Sequence, residues 1–110
     1  MILPIEICRY VTANGTDVVG EWLARLKDVR TRAKIVARID WLAAGNFGDC
    51  KSLRGGLHEL RIDWGPGYRI YYAPVAEARV LLLCGGDKRK QSFDIRRALE
   101  YLNDYKERSQ

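Results

Sequence analysis

A β-hairpin is predicted over residues 57–72, where apolar and polar residues alternate with the period of two that is typical of strands. The alternating apolar positions of its two strands are Leu60, Ile62, Tyr68, Ile70 and Tyr72. Because these side chains must point into one core, the strands pair with Leu60 opposite Ile70. The register of the hairpin therefore follows from the apolar pattern.

This register places charged residues on the other face of the hairpin, which is predicted to point away from the core. Arg61 lies opposite Arg69. Glu59 lies opposite Tyr71. Like charges that face each other destabilise a sheet, so the arginine pair needs a reason beyond folding. A bound phosphate would supply that reason, and the alternative is a plain cross-strand ion pair with Glu59 on a solvated face.

The rest of the chain has patterns typical of two further strands and three helices. The strands are predicted over residues 2–10 and 79–85. The first helix is predicted to run to about Lys27, the second from a short break near Asp28 to a stop at Gly45, and the third over about 92–108. Either Thr16 or Asp17 can cap the first helix. The apolar stripe of the second helix is predicted to be Ala33, Val36, Ile39, Leu42 and Ala43. The continuous apolar run at residues 80–84 favours a strand covered on both faces, central or next to central in the sheet. The predicted order is β, α, α, β, β, β, α.

The composition is that of one globular domain. The chain has 110 residues, 47% of them hydrophobic and 30% charged, so residues 1–110 are expected to form a single domain. No apolar run is long enough to cross a membrane and the first residues do not resemble a signal peptide, so a cytoplasmic protein is expected. Three separated cysteines and one histidine support neither a disulfide framework nor a zinc site, so no cofactor or metal is predicted.

The positive charge indicates a polyanionic partner. The formal net charge is +5, and residues 29–63 and 64–97 carry +3 and +4 of it, offset by acidic ends. Thirteen of the nineteen basic residues are arginine, whose planar guanidinium group suits phosphate and carboxylate. A nucleic acid is one such partner.

Six short motifs carry a resemblance to a known family. In chain order they are EWLARLKD (residues 21–28), GNFGD (45–49), GGLHELRI (55–62), GPGYRIYY (65–72), LLLCGGDK (81–88) and, after Gln91, DIRRA (94–98). In this order they resemble the RelE/ParE superfamily of type II toxins, and within it the HigB-like addiction-module killer proteins. The resemblance implies an α+β, RelE-like microfold with an antiparallel sheet, an N-terminal helical hairpin and a C-terminal helix.

The resemblance also implies a function. Toxins of the RelE and HigB branches are ribosome-dependent endoribonucleases (mRNA interferases) that a cognate antitoxin neutralises, in this branch typically a helix-turn-helix DNA-binding protein. We therefore expect the ribosome, messenger RNA and an antitoxin as partners. Toxins of the ParE branch instead inhibit DNA gyrase, and an inactive member would act only as the partner of its antitoxin in autorepression. Likeness of fold cannot choose among these three.

RNA cleavage without a metal needs groups that bind the phosphate, take the 2′-hydroxyl proton and protonate the leaving 5′-oxygen. Arg61 and Arg69 are predicted to clamp the phosphate, and Glu59 is predicted to be the general base. Lys88 is predicted to be the acid or a further charge stabiliser. Tyr71 is predicted to stack on a base or to orient the phosphate. The predicted RNA-backbone contacts are Lys51, Arg54, Arg89 and Lys90.

Four ring side chains raise competing interpretations. His58 has a suitable unperturbed pKa for acid–base chemistry, but it shares a face with Leu60, which favours a packed histidine. Trp22 is expected in the core because it lies at helical spacing within an apolar stripe. Trp41 and Trp64 are candidate contacts for the antitoxin.

Overall fold

Strands and helices follow the predicted order, with one additional short strand, through residues 4–109, which are the residues that the computed structural model describes. They are β1 (Glu6–Arg9), α1 (Val18–Arg25), α2 (Val29–Ala43), β2 (Cys50–Ser52), β3 (His58–Ile62), β4 (Tyr68–Ala76), β5 (Arg79–Asp87) and α3 (Gln91–Arg108). Two 3₁₀ turns, Arg54–Gly56 and Lys88–Lys90, precede β3 and α3. The short strand β2 was not predicted. Residues 2 and 3 of the predicted first strand lie outside the described residues.

The five strands form one sheet in the order β1-β5-β4-β3-β2. Neighbouring strands are antiparallel except β1 and β5, which run parallel. The α+β class is confirmed, and the expected antiparallel sheet has one parallel pair at its edge. α1 packs on β5 and α2 packs on β3, so the two helices carry the chain from β1 at one edge of the sheet to β2 at the other. β1 therefore forms no hairpin with the next strand in the chain, and it lies parallel to β5.

The predicted register of the central hairpin is confirmed. Leu60 pairs with Ile70, and Arg61 pairs with Arg69. The loop between the strands closes at Gly67, whose φ of 86° lies in the left-handed region that favours glycine. The apolar pattern therefore decided which charged residues face each other.

Helices cover both faces of the sheet. The core under α1 and α2 includes Val19, Ile35, Leu42, Leu60, Ile70 and Tyr72. The core under α3 includes Leu57, Tyr71, Leu83, Ala98 and Leu102. Burial on both faces accounts for the continuous apolar run in β5, which lies next to the central strand β4 as predicted. The hairpin face that carries Arg61 and Arg69 thus borders a second core, and the prediction that it points away from any core was wrong.

Both N-terminal helices begin at an aspartate. Asp17 Oδ1 accepts a hydrogen bond from the backbone N–H of Gly20 at 3.1 Å, so Asp17 is the cap of α1. Asp28 Oδ1 accepts one from the N–H of Arg30 at 2.9 Å at the start of α2. Such caps contribute about 1 kcal/mol each. No helix within residues 4–109 has the length and apolar character that a membrane span needs.

Helix α2 packs on the sheet with only part of the predicted stripe, because Leu42 is buried and Ile39 packs against the core but Ala33 and Val36 do not. Its buried residues are Thr31, Ile35 and Leu42. Ala33 and Val36 of the predicted stripe are exposed. The buried hydroxyl of Thr31 accepts a hydrogen bond from Trp64 Nε1 at 3.1 Å. A satisfied polar group can be buried at little cost, so a polar residue occupies part of the packed face. The apolar pattern alone identified the C-terminal part of this face and missed its N-terminal part.

Replacing Ile35 should destabilise the domain far more than replacing its neighbour Val36. Ile35 is fully buried, whereas Val36 is 44% exposed. We expect Ile35→Ala to lower the free energy of unfolding by about 2–5 kcal/mol. We expect Val36→Ala to change it by no more than about 0.5 kcal/mol. Urea denaturation followed by circular dichroism measures both values, and equal losses would contradict the orientation of α2.

Candidate functional site

A charged cluster lies where the central hairpin meets the first turn of α3. Its centre is Glu59, whose side chain is fully buried. Glu59 Oε1 accepts a hydrogen bond from Arg61 Nε at 3.2 Å and lies 3.8 Å from Arg69 Nε. Glu59 Oε2 accepts a hydrogen bond from Gln91 Nε2 at 2.7 Å. One carboxylate therefore holds together side chains of β3, β4 and α3.

The geometry of the strands places these charges side by side. Glu59 and Arg61 are two residues apart in β3, so they share a face, and Arg69 pairs directly with Arg61 across the hairpin. Two like charges can face each other here because the carboxylate between them offsets their repulsion. The ion-pair interpretation identified the right partners. Its solvated setting was wrong, because Glu59 is not exposed.

Both arginines keep donors that Glu59 does not use. The side chain of Arg61 is 35% exposed and that of Arg69 is 16% exposed. Arg69 Nη1 donates to the carbonyl oxygen of Tyr68 at 3.2 Å, and Arg69 Nε is buried without a hydrogen bond. A guanidinium group has five N–H donors in a planar fork. The pair therefore retains the capacity to bind phosphate oxygens from its exposed side.

Lys88 lies beside this arginine pair at the hairpin loop. Its backbone N–H donates to the carbonyl oxygen of Gly67 at 2.8 Å, which joins the Lys88–Lys90 turn to the loop. A Cβ atom on Gly67 would lie 3.4 Å from both Arg69 Nη1 and Lys88 Cδ. The side chains of Arg69 and Lys88 therefore both pass next to Gly67. Lys88 itself is exposed.

Tyr71 occupies the predicted position but not the predicted environment. It pairs with Glu59 and is fully buried in the core under α3. Burial raises the pKa of Tyr71 well above its usual range, and the nearby charge of Glu59 raises it further. A ring without exposed surface cannot stack on a base, so the predicted contact with RNA does not fit the structure. Tyr71 instead packs beneath the cluster.

The four predicted RNA-backbone contacts are all exposed, but they differ in their surroundings. They are Lys51, Arg54, Arg89 and Lys90. Lys51 pairs with Glu59 across β2 and β3, so it extends the row of charges on the same face. Arg89 Nη2 contacts Asp87 Oδ2 at 2.8 Å, and this pairing lowers the pKa of Asp87. The charge of Arg89 is therefore partly offset, whereas Lys51 adds directly to the cluster.

Gln91 is the cluster residue that pattern analysis missed. It is the first residue of α3, one position before the predicted start of that helix. A single amide among polar residues carries little signal in a sequence. The only indication was its place before the DIRRA motif in the family resemblance.

His58 is a packed side chain, as its position in the strand predicted. Its ring stacks on Tyr72, with centroids 5.4 Å apart and planes inclined by 20°. This places it on the face covered by α1 and α2, opposite the charged cluster. Across residues 4–109, no three His, Cys, Asp or Glu side chains converge closely enough to hold a metal ion.

Comparison with known proteins identifies the family. A family model described as "Phage derived protein Gp49-like (DUF891)" matches residues 21–102 of the chain. The chain belongs to this Gp49-like family. The matched range includes the whole charged cluster, from Lys51 to Gln91. The family is toxin-like and related to RelE, so the resemblance to RelE-type toxins is confirmed at this level.

A Haemophilus influenzae protein resembles this Gp49-like chain over most of its length. The two are 54% identical over 88 residues, which are 80% of this chain and 89% of that protein. Its description is "Uncharacterized protein", so it adds no activity to the family relation. The placement in the HigB-like branch stays a prediction.

Glu59→Gln should destabilise the Gp49-like domain, because it removes the charge between Arg61 and Arg69 while keeping the shape of the side chain. We expect the free energy of unfolding to fall by about 1–3 kcal/mol, the cost of leaving charged donors poorly satisfied. The matched control is Glu6→Gln, since Glu6 is 59% exposed and pairs with Arg79 at 3.3 Å. That change should cost no more than about 0.5 kcal/mol. Chemical denaturation compares the two, and a negligible loss for Glu59→Gln would contradict a tightly held cluster.

Proposed function

We propose that this Gp49-like protein is the toxin of a type II toxin–antitoxin system and that it cleaves messenger RNA on the ribosome. The observation that carries the proposal is the pairing of Arg61 with Arg69 over the buried carboxylate of Glu59. Two guanidinium groups held together in this way, with the stem of Lys88 next to Arg69 at Gly67, form a site for a phosphate group. A protein that only blocks gyrase needs no such convergence.

The proposed reaction uses the 2′-hydroxyl of the RNA as the nucleophile. Its proton passes to solvent water, or to Glu59 Oε2 once Gln91 has released that oxygen, while the 2′-oxygen attacks the phosphorus. The bond from phosphorus to the 5′-oxygen breaks, which leaves a 2′,3′-cyclic phosphate and a free 5′-hydroxyl. Negative charge builds on the phosphoryl oxygens during the attack, and Arg61 and Arg69 stabilise that charge. Lys88, on the exposed side of the same loop, protonates the leaving oxygen or stabilises its charge.

We assign Glu59 first the role of positioning Arg61 and Arg69. Both of its oxygens already accept hydrogen bonds, and the side chain has no exposed surface. It can take the 2′-hydroxyl proton only after Gln91 gives up its hydrogen bond to Oε2. In the arrangement described here, Glu59 holds the two guanidinium groups in place.

Membership of a toxin-like family implies an antitoxin partner. We propose a helix-turn-helix DNA-binding protein in this role, and Trp41 as one of its contacts. Trp41 is 52% exposed, whereas Trp64 is half-buried with its Nε1 bonded to Thr31. We propose the ribosome as the second partner, because the net charge of +5 suits binding to its RNA. A protein that acts on the ribosome would work in the cytoplasm.

Arg61→Ala/Arg69→Ala should abolish cleavage, because it removes the groups that stabilise the developing charge. The variant also leaves the buried Glu59 without its ion partners, so circular dichroism must first show that it folds. Loss of one such donor typically lowers a rate by about 10²–10³-fold, so the double variant should leave no detectable cleavage products. The test is induction of the chain alone in a bacterial host, with primer extension on several transcripts and a parallel assay of plasmid supercoiling. Arg30→Ala/Arg32→Ala removes the same charge from α2 and should leave cleavage unchanged.

The outcomes separate the three candidate functions. New 5′ ends within translated codons, absent in the Arg61→Ala/Arg69→Ala variant, would support the nuclease. Intact transcripts with relaxed plasmid or broken DNA would assign the protein to the gyrase inhibitors. No effect on either would leave a protein that acts only with its antitoxin.

A further inference from the structure

A cavity of about 350 Å³ opens at the end of β5, and its lining includes Arg89 and Lys90 of the Lys88–Lys90 turn. β1 pairs with β5 only as far as Leu82. Within residues 4–109, residues 83–87 of β5 therefore have β4 on one edge and no strand on the other. Helices α1 and α3 flank this edge. The aromatic and cationic side chains that line the cavity are Trp22, Arg25, Tyr68, Arg89, Lys90, Phe93 and Arg97.

A buried carboxylate with an unused acceptor belongs to the lining of this cavity. Asp94 is 2% exposed, and its Oδ1 accepts a hydrogen bond from Arg97 Nη2 at 3.4 Å. Its Oδ2 is buried and has no hydrogen-bond partner. The carboxylate fits against the strand because Gly86 has no side chain, since a Cβ there would lie 2.0 Å from Oδ2. Leaving such an acceptor unmet is costly. A ligand in the cavity reaches Oδ2 only when the carboxylate turns away from Gly86, and it must then donate a hydrogen bond to that oxygen.

The remaining lining fits a flat ligand attached to a negative charge. Phe93 is 55% exposed, and Trp22 and Tyr68 are half-buried, so each offers ring surface. Arg25 and Arg89 bring positive charge to the rim. Aromatic surfaces beside cationic side chains are the usual platform for the bases and phosphates of single-stranded nucleic acid. A volume of about 350 Å³ is at the lower end of the range for ligand cavities and suits one nucleotide rather than several.

We propose that this cavity, the β5-edge pocket, binds one base of single-stranded RNA and prefers bases with an exocyclic amino group over uracil. The preference follows from Asp94, because a carboxylate oxygen accepts a hydrogen bond from the N4 amino group of cytosine but faces an acceptor, O4, in uracil. Adenine offers an amino group in the same way.

The pocket adjoins the proposed cleavage site, and this inference rests on the proposed function. Asp87 and Arg89 line the pocket, and Lys88 lies between them in the chain beside Arg69. An RNA strand that crosses the Lys88–Lys90 turn can place a phosphate at Arg69 and a neighbouring base in the pocket. The pocket would then select the sequence next to the cleaved bond.

The test compares binding of two hexanucleotides, one of 2′-O-methylcytidine and one of 2′-O-methyluridine, to the full chain without ribosomes. The 2′-methyl group removes the nucleophile, so neither probe can be cleaved. The two probes differ only at the edge of the base that Asp94 would read. Fluorescence anisotropy should show about tenfold tighter binding of the cytidine probe, within the range for one good base contact. In Asp94→Asn the ratio should fall below about threefold, because an amide can donate to O4 of uracil as well as accept from an amino group.

Two further variants keep the test decisive. Asp40→Asn removes the same charge from an exposed position on α2 and should leave the ratio unchanged. Phe93→Ala, at an exposed position that the fold does not need, should weaken both probes about tenfold without changing their ratio, because it removes a stacking surface. If Asp94→Asn does not fold, the wild-type ratio and the Phe93→Ala result still decide the proposal.

The binding measurements, read together with the transcript assay, also distinguish failure of the pocket proposal from failure of the nuclease proposal. Equal binding of the two probes, no binding of either, or an unchanged ratio in folded Asp94→Asn would overturn the pocket. If transcripts are still cut in any of these cases, the nuclease proposal stands without it. A preference for cytidine in a protein that cuts no transcript would support the base pocket and overturn the nuclease.

Discussion

The burial of Glu59 is the constraint on which the rest of the site depends. A carboxylate without exposed surface is stable only when its charge is offset and its oxygens accept hydrogen bonds. Here Arg61, Arg69 and Gln91 meet both needs. These partners belong to β3, β4 and α3, so the requirement of one side chain joins the hairpin to the start of the last helix. The same contacts hold the guanidinium groups with spare donors near the surface.

The hydrogen bond between Gln91 and Glu59 holds the start of α3 against the hairpin, and the path of the helix from there decides which parts of the sheet it covers. From Gln91 the helix crosses to the opposite edge, where Tyr101 stacks on Tyr10 of the segment after β1, with ring centroids 4.7 Å apart. This crossing makes a second core of the face that also carries the arginines. It also leaves the end of β5 between α1 and α3, where Gly86 lets the carboxylate of Asp94 lie against the strand. The two candidate binding regions are therefore consequences of one helix placement.

The hairpin and α2 show where a local pattern predicts structure and where it does not. In a strand, a slip of one residue moves every side chain to the other face, so the apolar residues allow one register. The pairing of Arg61 with Arg69 was correct for that reason. A helix presents several overlapping stripes, and in α2 the prediction was right at Leu42 but missed Thr31, whose buried hydroxyl bonds to Trp64, 33 positions further along the chain. No local pattern contains that bond.

The sequence by itself determined the order of the predicted elements, the α+β class, the register of the hairpin and the family. These depend on short-range periodicity or on motifs that can be read along the chain. Only the tertiary structure decided that Glu59 and Tyr71 are buried, that Gln91 completes the cluster and that Asp94 lines a cavity. Each of these depends on where α3 packs against the sheet. That placement is decided by contacts between residues far apart in the chain, and the alternation of polar and apolar residues carries no record of them.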